Sequence, residues 1–338
     1  MDCKEINVVF IVDRAQRTKK IAINTFDLEM ANNQYYTDVY DALCSVCHSV
    51  TVYSSPKEFL KNIRKHQNDV VLSIWSGVHS KSRKGLIPAI CESYGIKYVG
   101  SDCYVQILCQ DKALTKEYCK KFNIPTPGYV VVSKRNFPTD ISQLKLPLVI
   151  KPLDEGGSIG ISTNNLVRSY SDALGKCREL LKYYNNLLIE EYIDGYELCV
   201  ILFGNRSKIK VKGASMLKIG ETTYLKDFIW GYESKKETNP STKVVSVDAC
   251  YLVTEEDWIK FENLFFELGK VDLIRIDGRI NENGFQLIEL SPDPHIGSNA
   301  SVAKVFGFQK IDYVTMIKKL IENTLTEEIS QNAKTPTD

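Results

Sequence analysis

Short apolar runs separated by helix-length segments fill the first third of this chain, and few folds accommodate that alternation. Ile6 to Val12, Val50 to Tyr53 and Val70 to Ile74 read as strands, with helices expected over Thr37 to Val46 and Pro56 to His66. Strands that are apolar throughout and joined by helices pair in parallel, because the return crossover needs the length a helix provides. The expected fold class is therefore α/β. Gly85 to Tyr94 continues the pattern as a helix stopped by Gly95, Lys97 to Val99 as a short strand, and Asp102 to Phe122 as one or two helices. These end before Pro125 and Pro127, where we expect a hinge.

A chain of 338 residues is long enough for two or three domains, and 43% hydrophobic with 25% charged residues is ordinary for a protein that buries its own core. The 43 Lys plus Arg nearly balance the 42 Asp plus Glu, leaving a net charge of +1 and no broad field for nucleic acid or an anionic membrane. Neither is expected as a partner, so local motifs must carry the function. Met1 to Asp13 is too polar for a secretory signal and no stretch of about 20 apolar residues follows, so the expected location is cytoplasmic. The ten cysteines lie mostly in periodic apolar segments, as reduced core thiols do. Cys44 and Cys47 form a CxxC beside His48. With no second ligand pair near in sequence, core packing is favoured over redox or metal chemistry.

From Tyr129 to about Phe203 the alternation runs on a smaller scale through Leu148 to Lys151, Tyr170 to Tyr183, Leu187 to Glu191 and Glu197 to Phe203, and reads as a separate α+β lobe. Larger elements then return. A strand is expected over Lys208 to Lys218, a polar stretch over Gly220 to Pro240, and a helix over Thr254 to Leu268. Paired strands Val271 to Gly278 and Gly284 to Leu290 turn at Asn283 and Gly284, and a helix spans Ile311 to Leu325. The expected division is 1–122, 123–203 and 204–327, with 328–338 as a flexible tail.

Three segments hold residues suited to chemistry. Lys151-Pro-Leu-Asp-Glu-Gly-Gly-Ser-Ile-Gly160 follows a strand, and Gly156, Gly157 and Gly160 permit tight turns whose N–H groups converge on anionic oxygens. Taken alone it reads equally as a glycine-rich hairpin with no ligand. Arg275-Ile-Asp277 and Glu289-Leu-Ser291 lie on successive strands, so alternation sets two carboxylates on one face. A divalent ion bridging Asp277 and Glu289 is one reading, and a salt bridge from Arg275 to one acid is the other. Leu187 to Glu197 offers an apolar strand end with free backbone groups for adenine, followed by a carboxylate, Glu197, for ribose hydroxyls.

In order along the chain, Asp111-Lys112-Ala-Leu-Thr-Lys116, Ile124-Pro-Thr-Pro127, Lys151-Pro with Glu155-Gly-Gly-Ser-Ile-Gly160, Glu190 to Glu197, Arg275-Ile-Asp277 and Glu289-Leu-Ser-Pro resemble the ATP-grasp ligases, and most nearly the D-alanine–D-alanine ligases and their amino-acid ligase relatives. The resemblance spans roughly residues 70 to 320. It implies an N-terminal Rossmann-like domain before two ATP-grasp lobes that hold ATP between them. Lys112 and Lys151 would bind phosphates beneath a loop of Glu155, Gly156, Gly157 and Ser158. Glu190, Glu191, Tyr192 and Ile193 would hold adenine, and Glu197 the ribose. Asp277, Glu289 and Ser291 would hold Mg2+, as two ions with Mn2+ as a substitute. Arg275 and Ser158 would stabilise the acyl phosphate, and Lys235, on a mobile loop from Asp227 to Pro240, would cover the reaction centre. A homodimer through the N-terminal lobe is also implied.

The chain departs from that family in places. Ser291 stands where the family carries Asn, a shorter neutral ligand from which looser metal binding is expected. Pro294-His295 replaces a Pro-Gly turn. His295 is open to two readings, pocket shaping and a proton-carrying role. Val12-Asp13-Arg14-Ala15 replaces a Ser-Ala-Glu run, and Trp75-Ser-Gly-Val-His79 with Ser82-Arg83-Lys84-Gly85 replaces an acid-rich stretch. The loop has Lys236 where a Tyr follows the Lys. Trp75, Arg83, His295 and Ser298 would line the substrate pocket, and its added bases favour an extra carboxylate or phosphate on the first substrate over plain D-alanine.

The expected function is an ATP-dependent carboxylate–amine ligase acting on amino acids or similar small molecules through an acyl phosphate. D-alanine–D-alanine synthesis for cell walls is one alternative. A catalytically weakened ATP-binding regulatory protein is the other.

Overall fold

The computed structural model describes residues 3–14, 30–77, 80–227, 229 and 244–326. The N-terminal region is built from β1 (Asn7–Ile11), α1 (Asn33–Val46), β2 (Ser49–Tyr53), α2 (Pro56–Asn62), β3 (Val70–Ser73), α3 (Leu86–Tyr94) and β4 (Lys97–Tyr98). Its strands form a parallel sheet in the order β2-β1-β3-β4. Central β1 is buried over Val8 to Ile11, as an apolar strand covered on both faces must be. Asn32 caps α1 by accepting from Tyr35 N, and α3 ends at Gly95, whose φ of +65° is left-handed. Next come α4 (Cys103–Gln110) and α5 (Lys112–Lys120), two helices divided at Asp111, whose carboxylate accepts from Ala113 N and Leu114 N.

The central lobe comprises β5 (Tyr129–Ser133), β6 (Leu148–Pro152), β7 (Leu166–Val167), α6 (Tyr170–Leu180) and β8 (Asn186–Glu191), with an antiparallel sheet ordered β5-β8-β6-β7. The last region holds β9 (Gly195–Asn205), β10 (Lys208–Ile219), β11 (Tyr224–Leu225), β12 (Val244–Asp248), α7 (Glu255–Glu267), β13 (Leu273–Asn281), β14 (Gly284–Ser291), α8 (Ser301–Phe308) and α9 (Tyr313–Thr326). Its sheet runs β12-β10-β9-β13-β14, with β11 beside β9.

Two expectations need correcting. The division after residue 203 cuts through β9, which pairs with β10 and β13 in the last sheet and with no strand of the central lobe. The hairpin turn is Glu282–Asn283, since Asn281 pairs with Gly284. Elements β12 and α8 had no expected counterpart. The tail 328–338, Ala15, His79, Lys235 and Lys236 lie outside the described residues.

The cores show which parts pack together. Val8, Phe10, Val39 and Leu43 of the N-terminal region share one apolar cluster with Phe203, Val305, Phe306, Met316 and Leu320 of the last region. The central lobe has its own cluster around Val132, Ile150, Cys177, Leu187 and Ile189. No helix among the described residues is long and apolar enough to cross a membrane.

Candidate active site

Two cavities meet where the three regions converge. One of 1300 Å³ lies between the central and last sheets and is lined by Lys151, Ser158, Glu190 to Ile193, Glu197, Asp277 and Arg279. The other, of 540 Å³, lies against the N-terminal sheet and is lined by Trp75, Lys84, Gln106, Glu155, Gly156 and Asp293. Gly157, Arg275, Glu289 and His295 line both. A group transferred from one cavity to the other would pass these four residues.

The glycine-rich loop forms the partition. Gly157, Ser158 and Gly160 have φ of +61°, +65° and +72°, so the chain turns tightly directly after β6. A Cβ at Gly160 would stand 2.7 Å from both Pro152 Cγ and Tyr184 Oη, which leaves room for glycine alone. The N-terminal region straps the loop down. Arg83 pairs with Glu155 at 3.1 Å, Gln110 Nε2 donates to the Asp154 carbonyl, and Lys112 Nζ donates to the Glu155 carbonyl.

Lys151 ends β6 and donates to Glu190 on β8 at 2.5 Å, while fully buried Lys116 pairs with the other Glu190 oxygen and donates to the Leu287 carbonyl at 3.1 Å. Burial opposes charge on Glu190, but Lys116 and Lys151 outweigh it and hold its pKa below the usual value. For Lys116 burial wins, and its pKa falls to about 8 despite Glu190. Further along, Arg279 donates to Tyr192 Oη at 2.6 Å, to the Ile193 carbonyl at 2.9 Å and to Glu197 at 2.8 Å, fixing the stretch that follows β8. The Glu191 carboxylate accepts from Lys145 N at 2.9 Å.

On β13 and β14 the register sets Arg275 opposite Ser291 and Asp277 opposite Glu289. Arg275 Nε reaches both Asp277 oxygens at 2.8 Å, and its NH2 donates to Ser291 Oγ at 3.2 Å. Glu289 lies 3.6 Å from Lys112. Burial raises its pKa, but Lys112, Lys151 and Arg275 turn the balance and keep it ionised. Two carboxylates and a hydroxyl on one face make a hard-oxygen donor set, which fits Mg2+. Of the two expected readings of this cluster, the Arg275 salt bridge to Asp277 is present, and a divalent ion bridging Asp277 and Glu289 remains a proposal.

Residues 118–322, more than half of the chain, match the family model for the D-Ala–D-Ala ligase C-terminus. The chain belongs to the D-Ala–D-Ala ligase family. It is an ATP-grasp enzyme, and its chemistry is the ATP-driven joining of a carboxylate to an amine. A D-alanine–D-alanine ligase of Thermotoga petrophila is 28% identical over 287 residues, covering 83% of this chain and 89% of that protein. One of Xanthomonas axonopodis is 27% identical over 280 residues, covering 78% and 81%. Among solved structures, the Bacillus anthracis D-alanine–D-alanine ligase complexed with ATP superposes with a TM-score of 0.69 at 16% identity, over 95% of this chain and 97% of that one. The VanG D-Ala:D-Ser ligase of Enterococcus faecalis gives 0.66 at 17%, over 95% and 99%. These two likenesses show the shared fold.

Within this D-Ala–D-Ala ligase family member, most residues expected at the nucleotide and acyl sites line the two cavities, whereas buried Lys112 lines neither and reaches them through the Glu155 carbonyl and Glu289, 3.6 Å away. Two pocket residues do not line them either. Arg83 is buried against Glu155 and lines neither cavity, and Ser298 gives its hydroxyl to Asp38 at 2.6 Å, anchoring the loop after β14 to α1. Lys84 lines the smaller cavity with its charge matched by Asp293 at 3.0 Å. The extra positive field that argued against D-alanine is therefore offset by two acids. His295 stacks on Tyr35 with ring centroids 3.6 Å apart, and Tyr35 Oη accepts from Ile296 N at 3.3 Å. Tyr35, Lys116 and Arg279 had no expected role. Arg279 was within reach of strand alternation, two residues beyond Asp277. Lys116 closes the Asp111 to Lys116 motif, but its role, like that of Tyr35, comes from partners distant in sequence.

Proposed function

We propose that this chain joins two small amino acids, D-alanine to D-alanine foremost, through an acyl phosphate in the smaller cavity made with ATP bound in the larger. What carries the reading is the meeting of the cavities at Gly157, Arg275, Glu289 and His295. The D-alanine–D-alanine ligases among the relatives support the substrate pair. The matched charges of Arg83 and Lys84 remove the main ground for an acid with an extra anionic group.

Lys112 and Lys151 gather the phosphate oxygens, and the N–H groups of Gly156 to Ser158 close over them. Glu190 to Ile193 receive adenine, with Glu190 and the Ile193 backbone innermost, and Glu197 receives the ribose. Asp277, Glu289 and Ser291 would hold Mg2+, which when bound neutralises phosphate charge and orients its oxygens. Arg275 offsets the negative charge that gathers on the phosphoryl oxygens as the acyl phosphate forms and then on the former carbonyl oxygen of the tetrahedral adduct made by the attacking amine. His295 and Trp75 shape the carboxylate side. The loop and the body of the N-terminal region exclude water, which would otherwise hydrolyse the acyl phosphate. Lys235 belongs to this reading as a covering residue, on sequence alone. A cytoplasmic location goes with it, supported by ten cysteines that are all free thiols, as does a homodimer.

The test is turnover of the purified full-length chain with ATP, Mg2+ and D-alanine, following ADP release and dipeptide mass. Lys151→Ala and Arg275→Met are each expected to lower kcat by about 10² or more with folding retained. A chain that binds ATP yet releases no ADP and makes no dipeptide would overturn the reading.

A further inference from the structure

Among the described residues, three acids line the smaller cavity: Glu155, Glu289 and Asp293. Two of them are held by the groups that separate the cavities. Glu155 pairs with Arg83 at 3.1 Å, and Glu289, against the cost of burial, is kept ionised by Lys112, Lys151, Arg275 and Lys84. Asp293 differs. Its Oδ2 meets Lys84 Nζ at 3.0 Å, which is its one hydrogen bond or ion pair among the described residues. Its side chain is also the most open of the three, 35% exposed against 20% for Glu155 and 28% for Glu289. A carboxylate can accept from about four directions, so most of the accepting capacity of Asp293 is left over.

The backbone holds this carboxylate on a stiff mount. Asp293 lies two residues beyond β14 between buried Pro292 and Pro294, and Ser101 Oγ donates to the Pro292 carbonyl at 3.0 Å. Tyr35, on the same cavity wall, feels both members of the pair. Burial raises the pKa of its hydroxyl, the Ile296 N–H lowers it, Asp293 raises it and Lys84 lowers it. Asp13, beyond the end of β1, is engaged elsewhere: its oxygens accept from Ser76 N at 3.0 Å and Gly77 N at 2.7 Å, and it lines neither cavity. Asp293 and Lys84 line the smaller cavity alone, whereas Arg275 and Glu289 line both. An acid with its reacting carboxylate at Arg275 therefore turns the rest of its body toward Asp293.

We propose that Asp293 is the specificity residue that receives the α-ammonium group of the amino acid whose carboxylate is activated. The proposal rests on reading the smaller cavity as the carboxylate-side pocket. An α-amino acid carries both groups on one carbon, so a carboxylate held at the partition brings its ammonium into the smaller cavity. An ammonium offers Asp293 three N–H donors and a full charge, a hydroxyl one donor and no charge, and a methyl group neither. The ammonium shares Asp293 with Lys84, so the two residues act in opposite senses. Without the acid, Lys84 favours anions that lack an ammonium; without Lys84, Asp293 holds the ammonium more tightly.

Hydroxylamine in excess intercepts an acyl phosphate as a hydroxamate, so hydroxamate formation by the full-length chain with ATP and Mg2+ reports on the activated acid alone. The quantity to follow is kcat/KM for D-alanine, D-lactate and propionate in wild type, Asp293→Asn and Lys84→Met. Wild type is expected to favour D-alanine about tenfold or more over the other two acids. Asp293→Asn should remove that preference and Lys84→Met should increase it several-fold, with melting temperatures close to wild type because the pair is partly exposed. An unchanged preference in Asp293→Asn overturns the role of Asp293 and leaves the ligase reading standing, as does a wild type that activates all three acids alike. A preference that falls alike in both variants marks the pair as a structural brace and overturns it as well. A wild-type chain that binds ATP and activates none of the three overturns the ligase reading, and the proposal with it.

Discussion

Glu190 sits between two buried lysines, and this placement makes its ionisation a condition of folding. Its pKa lies below the ordinary carboxylate value of 4.5, burial being outweighed by Lys116 and Lys151. A carboxylate depressed in this way adds stability that is complete above the unfolded value and lost as pH falls through the lower folded one. Glu190→Gln is therefore expected to flatten the acid limb of stability below about pH 4.5. At neutral pH it should cost about 3–5 kcal/mol, because two buried ammonium groups lose their shared counter-charge. Urea unfolding of both proteins between pH 7 and pH 3 measures this, and parallel curves would contradict it. Lys151 and Glu190 were recognisable in the sequence because each ends a strand in a motif. Their pairing was not, since it arises from the register of β6 with β8.

At the scale of the element, the loop after β6 depends on backbone conformation as much as on charge. Gly160→Ala meets both a left-handed φ of +72° and contacts at 2.7 Å. A loss of about 1–3 kcal/mol and a higher KM for ATP are expected. At Gly175 in α6 an added Cβ would meet nothing within 4 Å, so Gly175→Ala should instead stabilise by about 0.5–1 kcal/mol. Chemical denaturation of the two variants gives opposite signs if local geometry governs, and equal signs would count against that account. Most elements were legible from period and stop signals, as α3 with Gly95 illustrates. β9 was placed in the wrong lobe because an apolar run announces a strand and is silent on its neighbours.

Across the whole molecule, the first and last regions are joined by a common core, while the central lobe keeps its own. Relative motion is thus expected of the central lobe, with the Arg83–Glu155 pair tethering its glycine-rich loop to the N-terminal region. Arg83→Met should raise the KM for ATP several-fold and speed proteolytic cleavage across residues 154–160, with little change in melting temperature. Unchanged KM and cleavage would remove the tether from the mechanism.

By itself the sequence determined the α/β class, the glycine-rich turn and the two acids on neighbouring strands, because these depend on residue type and local spacing, and the ligase chemistry followed from the ordered resemblance of its motifs to a known family. Tertiary structure decided the rest. It matched Arg83 with Glu155 and Lys84 with Asp293, drew β9 into the last sheet and packed α9 on α1. Charge compensation and hydrogen-bond satisfaction depend on which groups meet in space, and that is settled only when distant segments pack.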